Sequence, residues 1–515
     1  MSHCLESKQV LADYKRLRSH NDERYQSSSH FVRAPRFLLC YMIMALVTSL
    51  LIGNLTVKAA GPVVQVWLTT SDGVNHLTRQ RNLQFKSDNG TATSSTINVN
   101  DTQRMQQMDG FGAAITDSSA WLIAKKLSAS QRNKVMENLF APGARNPSSV
   151  GFSFVRIPMG ASDFSVNGPY SYDDLPNGQS DPTLAKFSIR HDTAYILPVL
   201  QQAHRLNPSI RFLANPWSPP AWMKSNGSMF GANNGVQGTL NKADYGPLAQ
   251  YFVKFLHAYQ TAHIPIYAIT PQNEPEYPAG NYPGMILEAG DEMNLVNDYF
   301  VPALAKAKLH TKILGFDFNW SNSSYAQTLL SDPTTNKNLA GISWHCYGGD
   351  ASTMTTFHNQ YPTKGMYETE CSPGMGSIKS LTTITLLMQS VQNWAKSVEL
   401  WNVALDPNGN PHSGGCADCP PVITIDQNTG NVTYLANYYQ LGHFSKFVVP
   451  GAYHVAASIP SSGSVTDVAF KNPNGKRVVV AYNSGSSENT LKVLWDRTRS
   501  FSYTLPAGAI ASFVW

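Results

Sequence analysis

The chain has 515 residues, of which 42% are hydrophobic and 14% are charged. This composition predicts a globular protein with a large core and excludes extensive disorder. The net charge of +5 comes mainly from residues 1–60, which contain eight Lys or Arg and four Asp or Glu, so the rest of the chain is close to neutral. A nucleic-acid partner is not expected, because it would require a basic stripe on the folded part.

Residues 1–60 are predicted to be a signal peptide or a membrane anchor. Residues 37–57 contain no charged side chain, basic residues precede them, and Val57-Lys58-Ala59 fits a small-residue cleavage site. We favour a cleaved export signal, although about 20 apolar residues are also enough to span a bilayer. In both cases the basic flank places the following residues outside the cytoplasm. We therefore expect a secreted or extracytoplasmic protein, with membrane contact through residues 37–57, if they are retained, or through a lipid substrate.

The two ends of the remaining chain have the pattern of β-strands. Residues 63–68, 83–85 and 96–99 are rich in β-branched, apolar or aromatic side chains and are separated by Gly, Asn, Asp and Ser. Near the C-terminus, residues 465–470 lead through Asn474-Gly475, a strong hairpin signal, into residues 478–482. We predict that residues 61–105 and 448–515 together form one β-sandwich.

The middle of the chain, residues 106–447, alternates strands with helices. The predicted strands are residues 110–115, 152–158, 211–216, 266–270, 312–318, 341–345, 365–370 and 398–401. The predicted helices include residues 118–139, 189–206, 245–262, 291–309 and 381–394. Eight such strands predict an α/β fold, a closed (β/α)8 TIM barrel. The alternative is an open doubly wound sheet, but Gly110-Phe-Gly112 is too sparse for the glycine-rich phosphate turn that such a sheet normally has.

Polar or aromatic side chains stand at the ends of nearly all these strands. They are Asp117, Arg156, Trp217, Asn273, Glu274, Asp317, His345, Glu370 and Trp401. In a barrel these ends converge on one face, where enzymes of this fold carry their active sites. The pattern therefore predicts an active site at that face.

Glu274 follows the fourth predicted strand, and Glu370 ends the seventh. Two carboxylates that face each other across a barrel mouth can split a glycosidic bond, one as the acid that protonates the leaving oxygen and the other as the nucleophile. A separation of about 5–5.5 Å would leave no room for a water molecule opposite the leaving group and would give retention of configuration. The alternative is that one or both belong to structural ion pairs. Glycoside cleavage of this kind needs no cofactor.

Glu368 is the competing carboxylate, because strand alternation predicts that it faces the same way as Glu370, one layer deeper. A buried carboxylate must be neutral or paired, and Arg156 is its candidate partner. We interpret Glu368 and Arg156 as supporting residues, with Glu368 as the alternative nucleophile.

Several other strand-end residues are candidates for substrate contact. Trp217 and Trp401 can stack on the apolar face of a sugar, whereas Trp222 fits the core or the rim equally well. His345 either orients a substrate hydroxyl or the nucleophile, or is a satisfied internal histidine. Tyr347 is placed to hydrogen-bond Glu370 and to favour its charged form.

Four cysteines lie beyond the leader, at Cys346, Cys371, Cys416 and Cys419, which is too few for a disulfide scaffold. Cys416-Ala-Asp-Cys419 is compatible with a redox motif, half of a zinc site or a small disulfide. No second Cys/His pair lies at zinc spacing, and an exported chain favours a disulfide between Cys416 and Cys419. No metal site is predicted.

A series of ordered motifs resembles glycoside hydrolase family 30, close to its glucosylceramidases and endo-β-1,6-glucanases. The motifs are Asp109-Gly-Phe-Gly-Ala-Ala-Ile-Thr-Asp117, Val155-Arg-Ile-Pro-Met159, Ser162-Asp-Phe-Ser165, Pro216-Trp-Ser-Pro-Pro220, Tyr251-Phe-Val-Lys-Phe255, Gln272-Asn-Glu-Pro275, Thr369-Glu-Cys371, Trp401-Asn-Val-Ala-Leu405 and Leu441-Gly-His-Phe-Ser-Lys-Phe447. The resemblance implies that Glu274 is the acid/base and Glu370 the nucleophile. It also implies that Asp117, Trp217, Asn273 and Trp401 hold the non-reducing sugar, with Asn273 on its 2-hydroxyl, and that a sandwich from both chain ends accompanies the barrel.

The loop after Trp401 departs from the human-type glucosylceramidases, which have a further sugar-binding Asn there. Here this loop reads His412-Ser-Gly-Gly-Cys-Ala-Asp-Cys419 and, like Asn281-Tyr-Pro-Gly-Met285, resembles the β-1,6-glucanase and bacterial branches. We expect a retaining, glucosylceramidase-like hydrolase of a β-glucoside, with an endo-β-1,6-glucanase as the alternative. A silent carbohydrate-binding protein is less compatible with the sequence, because a lectin needs no proton donor.

Overall fold

A computed structural model describes residues 61–92, 95–143, 145–457 and 463–515. The predicted signal peptide or anchor, including residues 37–57, lies outside the described residues. Within them, no helix is both long and apolar enough to cross a bilayer. The boundaries predicted for the chain's regions stay predictions.

The described middle region contains an eight-stranded parallel sheet that closes into a barrel. Its strands are Gly110–Ala113, Phe154–Pro158, Arg211–Asn215, Ile266–Ile269, Lys312–Asn319, Gly341–His345, Gly365–Cys371 and Ala395–Leu400. Hydrogen bonds from the Ser153 amide to the Phe111 carbonyl (3.0 Å) and from the Ile115 amide to the Arg156 carbonyl (2.9 Å) join the first strand to the second. The predicted TIM barrel is confirmed, and its last strand begins three residues before the predicted residue 398.

Helices cover the outside of the barrel. The α-helices are Asp117–Trp121, Ala129–Phe140, Arg190–Thr193, Ile196–Leu206, Tyr245–Thr261, Ala289–Asn294, Val301–Lys306, Ser323–Ser331, Pro333–Asn338, Ser352–Gln360, Thr383–Gln392 and Ala436–Ser445. The helix predicted over residues 118–139 is interrupted. After a π-helical turn, Leu122–Lys126, a new helix begins at the N-cap Ser128, which forms a capping box with Gln131.

The barrel interior is apolar and packed in its lower layer and polar in the next layer towards the C-terminal ends of the strands. Phe154 and Leu213 belong to a small buried apolar cluster inside the sheet. Strand alternation places Arg156 and Asn215, two residues further along, in the next layer towards the C-terminal ends. The floor of the mouth is thus built from polar side chains that rest on a solid core.

An eleven-stranded sheet, counted over the described residues, forms the second part of the fold. Its strands are Val63–Thr69, Thr78–Arg79, Leu83–Gln84, Lys86–Ser87, Thr96–Gln107, Tyr453–Ala456, Val465–Lys471, Arg477–Asn483, Asn489–Trp495, Arg499–Leu505 and Ile510–Val514. Val63–Thr69 pairs with Ile510–Val514, and Thr96–Gln107 pairs with both Tyr453–Ala456 and Asn489–Trp495. The prediction of one sandwich from both chain ends is confirmed, although the long strand Thr96–Gln107 crosses the predicted boundary at residue 106.

Candidate active site

A cavity of about 450 Å³ opens at the C-terminal ends of the barrel strands. Side chains from both predicted catalytic strands, together with aromatic and amide side chains of the surrounding loops, form its wall. The lining residues are Asp163, Trp217, Asn273, Glu274, Tyr277, Asn281, Tyr282, Phe318, Asn319, Tyr347, Glu370, Met375, Trp401, Gly415, Cys416 and Cys419.

Glu274 and Glu370 meet in this cavity. One carboxyl oxygen of each lies within 4.8 Å of the other and of a ring nitrogen of His345. Glu274 has a left-handed backbone conformation (φ +45°), and its amide donates to the Asp317 carbonyl (3.0 Å). Strained conformations of this kind persist where the surrounding structure holds them in place. The spacing is that of a retaining rather than an inverting pair, whose carboxyls lie about 6.5–9.5 Å apart.

Glu370 receives a hydrogen-bond donor on each carboxylate oxygen. Tyr347 Oη donates to Oε1 (2.8 Å), and Arg156 Nη1 donates to Oε2 in a buried ion pair. These donors orient Glu370 and stabilise the negative charge that a nucleophile requires. Arg156 Nη2 also donates to Asn273 (2.7 Å) and Asp317 (2.8 Å).

His345 links Glu274 to Asp317. Its Nδ1 lies 3.2 Å from Glu274 Oε1 and its Nε2 lies 3.2 Å from Asp317 Oδ1. Burial lowers the pKa of His345, but the charge of Glu370 and the contacts with Asp317 and Glu274 outweigh it and raise this pKa to about 10. A protonated His345 can donate from Nδ1 to Glu274 Oε1 and from Nε2 to Asp317 Oδ1. One ligand atom each of Glu274, His345 and Glu370 lies within 4.8 Å of the others, and metal binding there would require His345 to lose its proton.

Burial raises the pKa of Glu274 above its usual value, and the negative charge of Glu370 raises it further, while His345 opposes both. Glu274 can therefore carry the proton that a general acid must donate. Burial stays the same during the reaction, whereas the charge of Glu370 disappears when it becomes an ester, so this charge can change the pKa of Glu274 during catalysis.

Asp317, predicted only as one of the polar strand-end residues, connects several groups at the floor of the cavity. It accepts hydrogen bonds from Asn215 (2.9 Å), Thr270 (2.9 Å) and Thr369 (2.7 Å) as well as from Arg156. Burial acts to raise its pKa, but Arg156 and His345 hold the pKa of Asp317 well below its usual value. In the sequence, Asp317 could have been recognised as a candidate site residue because it is the only aspartate in the otherwise largely apolar strand Lys312–Asn319.

Trp217 and Trp401 line the cavity and stack on each other, with ring centroids 4.9 Å apart. The Arg156 guanidinium lies over both rings, at 4.8 and 5.6 Å. Trp222 lies elsewhere, where its indole donates to Asp173 (3.1 Å). The two stacked tryptophans form an aromatic wall above the polar floor.

Asp117 does not line the cavity in this structure, and its assignment to the sugar site stays a prediction. It opens the helix Asp117–Trp121, and its carboxylate contacts His191 (2.6 Å), Tyr195 (3.0 Å) and the Val166 amide (3.3 Å). Through these contacts Asp117 links neighbouring segments of the chain to the start of the helix.

Asp163 lines the cavity and was not predicted, although the motif Ser162-Asp-Phe-Ser165 contains it. Its Oδ1 is buried and has no hydrogen-bond partner among the described residues. Burial, and then the charge of Glu370, raise the pKa of Asp163 to about 8. Gly415 packs against it so closely that an added Cβ would lie 2.5 Å from Oδ2. Asp163 therefore offers an unpaired oxygen to a ligand.

The predicted pairing of Glu368 with Arg156 is wrong. Glu368 pairs in register with Trp344, which lies in the core outside the barrel, and irregular pairing follows before Glu370. The bulge breaks the alternation, so Glu368 lies within 4.8 Å of the Cys346 and Cys371 sulfurs and does not line the cavity. It cannot serve as the alternative nucleophile.

Two disulfides flank the site. Cys416–Cys419, the candidate pair from the sequence, is bonded and lines the cavity. Cys346–Cys371 was not foreseen and joins the sixth and seventh strands directly after His345 and Glu370. Nothing in the spacing of these two cysteines indicated that adjacent strands would bring them together.

The barrel, the paired carboxylates and the sugar-sized cavity define a glycoside hydrolase. Residues 108–448 match the model of the glycosyl hydrolase family 30 TIM-barrel domain, and residues 451–513 match that of the family 30 β-sandwich domain. The chain belongs to glycosyl hydrolase family 30 and is a β-glycoside hydrolase.

Similar proteins in this family are named either endo-1,6-β-glucanases or glucosylceramidases. The endo-1,6-β-D-glucanase neg1 of Aspergillus fumigatus is 33% identical over 445 residues, which cover 82% of this chain and 88% of that one. The lysosomal acid glucosylceramidase of Mus musculus is 29% identical over 455 residues, covering 83% and 84%. The solved structure of the endo-β1,6-glucanase BT3312 is 30% identical, with a TM-score of 0.78, and covers 88% of this chain and 99% of that one.

Proposed function

We propose that this protein hydrolyses a β-1,6-linked glucan by a retaining mechanism, with Glu370 as the nucleophile and Glu274 as the acid/base. The observation that carries the proposal is the approach of their carboxyl oxygens to within 4.8 Å in one cavity. A single anomeric carbon can lie between them.

In the first step, a carboxylate oxygen of Glu370 bonds to the anomeric carbon as the bond from that carbon to the leaving oxygen breaks. Glu274 gives its proton to the leaving oxygen, so an alcohol departs and a glucosyl ester remains on Glu370. In the second step, Glu274 takes a proton from water, the resulting hydroxide equivalent attacks the anomeric carbon, and the ester bond breaks. Two inversions give net retention.

The electrostatics support this exchange of roles. While Glu370 is a carboxylate, its charge contributes to the raised pKa of Glu274 and favours the protonated form of Glu274. Esterification removes that charge, and the pKa of Glu274 falls because one of the causes that raised it is gone. The same side chain can therefore act as an acid first and as a base second.

Asp163, Asn273 and the Trp217–Trp401 pair are suited to hold the sugar that is attacked. Asp163 presents an unpaired buried oxygen that can accept from a hydroxyl, and Asn273 is fixed by its bond from Arg156. The tryptophan pair supplies apolar surface for the ring.

The leaving-group side of the cavity favours a sugar over ceramide. Tyr277 and Tyr282, with nearly parallel rings 6.3 Å apart, share this wall with the amide side chains of Asn281 and Asn319. Aromatic faces and amides match the apolar faces and hydroxyls of a second glucose. The 33–35% identity to endo-1,6-β-glucanases, against 27–30% to glucosylceramidases, supports the same order of preference. Glucosylceramide, and with it a role in sphingolipid metabolism, is the second candidate.

The test compares hydrolysis of a β-1,6-glucan, of glucosylceramide in detergent micelles and of an aryl β-glucoside. We expect the glucan to have the highest kcat/KM of the two natural substrates; a clear preference for glucosylceramide would overturn the linkage assignment. Glu370→Ala should abolish turnover, and azide should restore it with an inverted glucosyl azide as product. Full activity of this variant would remove Glu370 from the mechanism.

We further propose an extracytoplasmic location. The apolar stretch of residues 37–57 with its basic flank supports it, as do the two disulfides, because such bonds persist in oxidising compartments. Activity in the medium of the expressing cells, with an N-terminus near residue 60, is the expected result; full-length protein in the cytosol would contradict it.

A further inference from the structure

A second cavity, of about 270 Å³, shares no lining residue with the catalytic cavity. It lies between the sandwich, which contributes His76, and two barrel helices, which contribute Asn138 and the pair Tyr438 and Tyr439. Tyr434 and Ser148 complete the part of the wall that concerns a ligand.

Aromatic rings form a continuous series along this cavity. His76 contacts Tyr439 with ring centroids 4.6 Å apart, Tyr439 contacts Tyr438 at 5.2 Å, and Tyr438 contacts Tyr434 at 4.6 Å. Tyr434 and Tyr439 each meet the buried ring of Tyr438 edge to face, at interplanar angles of 62° and 89°. The exposed His76 ring and the partly exposed Tyr439 ring, tilted by 32° to each other, lie at the open end of the series. Such a surface suits a ligand with apolar faces of ring size.

Two of the tyrosines are fixed by hydrogen bonds. Asn138 Nδ2 donates to Tyr434 Oη (2.8 Å), and Tyr438 Oη donates to the carbonyls of Asn138 (3.0 Å) and Ser148 (3.2 Å). The wall is therefore pre-organised, which lowers the entropic cost of binding.

Other polar groups of the wall are free to bind a ligand. Among the described residues, the Tyr439 hydroxyl, the His76 ring nitrogens and the Ser148 hydroxyl have no hydrogen-bond partner. The described lining contains no Asp, Glu, Lys or Arg. The cavity thus combines aromatic rings with hydrogen-bonding groups and has no carboxylate, ammonium or guanidinium in its described lining, which is chemistry suited to an uncharged sugar.

We propose that this aromatic cavity is a secondary binding site for a short stretch of the polymeric glucan, separate from the site of cleavage. The identity of the glycan rests on the proposed function. A chain held there raises the effective concentration of its other segments near the enzyme, so the site acts on polymers and leaves small substrates unaffected.

The test uses His76→Ala/Tyr439→Ala and, separately, Ser148→Trp, which fills the cavity from an exposed position. Tyr299→Ala, at a partly exposed tyrosine remote from this lining, is the matched control. Binding is measured with each change in the Glu370→Ala background, by affinity electrophoresis in gels that contain soluble β-1,6-glucan. Kinetics are measured with each change alone, on an aryl β-glucoside and on the polymer.

We expect both cavity variants to lose about fivefold or more in polymer affinity and to retain wild-type kinetics on the aryl glucoside. Unchanged polymer affinity in the Ser148→Trp and double variants would overturn the inference. Should the double variant lose aryl-glucosidase activity, the Ser148→Trp variant alone decides. If the wild type does not cleave β-1,6-glucan, the proposed function fails, and the comparison is made on the β-glucan that it does cleave.

Discussion

Arg156 Nη1 donates to Glu370 Oε2 within a buried ion pair at the floor of the catalytic cavity. The other terminal nitrogen of the same guanidinium donates to Asn273 and Asp317. One cation thus holds the nucleophile, an amide of the sugar site and the carboxylate that binds His345. The relative positions of these groups depend on the planar shape of a single side chain.

Arg156→Lys should lower kcat/KM on an aryl β-glucoside about a hundredfold, because one ammonium cannot reproduce a fork of donors to separate acceptors. Removal of the charge in Arg156→Met should also destabilise the fold by about 3–5 kcal/mol, since buried carboxylates would lose their partner. Arg211→Lys is the control, because Arg211 pairs with Asp109 at the opposite end of the barrel. Equal losses of kcat/KM in Arg156→Lys and Arg211→Lys would show that Arg156 does not position the catalytic groups.

Activity should fall as pH rises through the pKa of Glu274, since only its protonated form donates to the leaving group. The charge of Glu370 raises that pKa, so Glu370→Gln should lower it. Infrared or 13C NMR titration of Glu274 in the variant and the wild type measures the change directly. Asp174→Asn, at an acid that does not line the cavity, controls for general charge effects. A rise, or no change, in the pKa of Glu274 would contradict the coupling.

Asp163→Ala should lower kcat/KM about tenfold through the loss of a buried hydrogen bond to the sugar. Asp117→Asn should stay within a few-fold of the wild type, because Asp117 contacts His191 and Tyr195 and not the cavity. Steady-state kinetics on one aryl glucoside compare the two. A larger loss of kcat/KM in Asp117→Asn than in Asp163→Ala would support the sequence-based assignment of Asp117 to the sugar site.

Lys224 connects loops near Tyr282, on the part of the cavity that we assign to the leaving group. Its buried ammonium donates to Ser218 Oγ (3.2 Å) and to the carbonyls of Phe230 (2.7 Å) and Gly284 (2.6 Å), and burial lowers its pKa to about 7. These bonds tie together the two loops that flank Tyr282. Lys224→Met should raise KM for the glucan more than tenfold and change kcat for an aryl glucoside by less than about threefold.

Lys254→Met, at an exposed lysine of the helix Tyr245–Thr261, is the matched control. Equal losses on both substrates would indicate that Lys224 acts on stability alone. Thermal unfolding of both variants separates this outcome from an effect on the loops.

Much of the architecture was predictable, because each barrel strand is a short apolar run and the residue at its end is polar. Glu274 and Glu370 were found by that rule, which depends only on position along the chain. The same logic failed for Glu368, since a bulge shifts the alternation and no local signal reveals a bulge. The strand Thr96–Gln107 was predicted to end at residue 99, because its second half is polar and lacks the alternation that marks a strand.

Asp163 and the Cys346–Cys371 bond were missed for a different reason. Asp163 lies in a loop, where no periodicity says which way a side chain points. The two cysteines are 25 residues apart, and only the pairing of neighbouring strands brings them together. Both depend on tertiary contacts that a one-dimensional pattern does not contain.

The strand Val63–Thr69 pairs with Ile510–Val514, and Gln107 pairs with Tyr453. During synthesis on the ribosome, the early strands therefore emerge long before the segments that complete their sheet. Until those segments emerge, these edges lack the strands with which they pair, and unpaired strand edges are templates for aggregation. A stop codon near the 3′ end of the message should accordingly yield an aggregating product, even though every catalytic residue has already been translated.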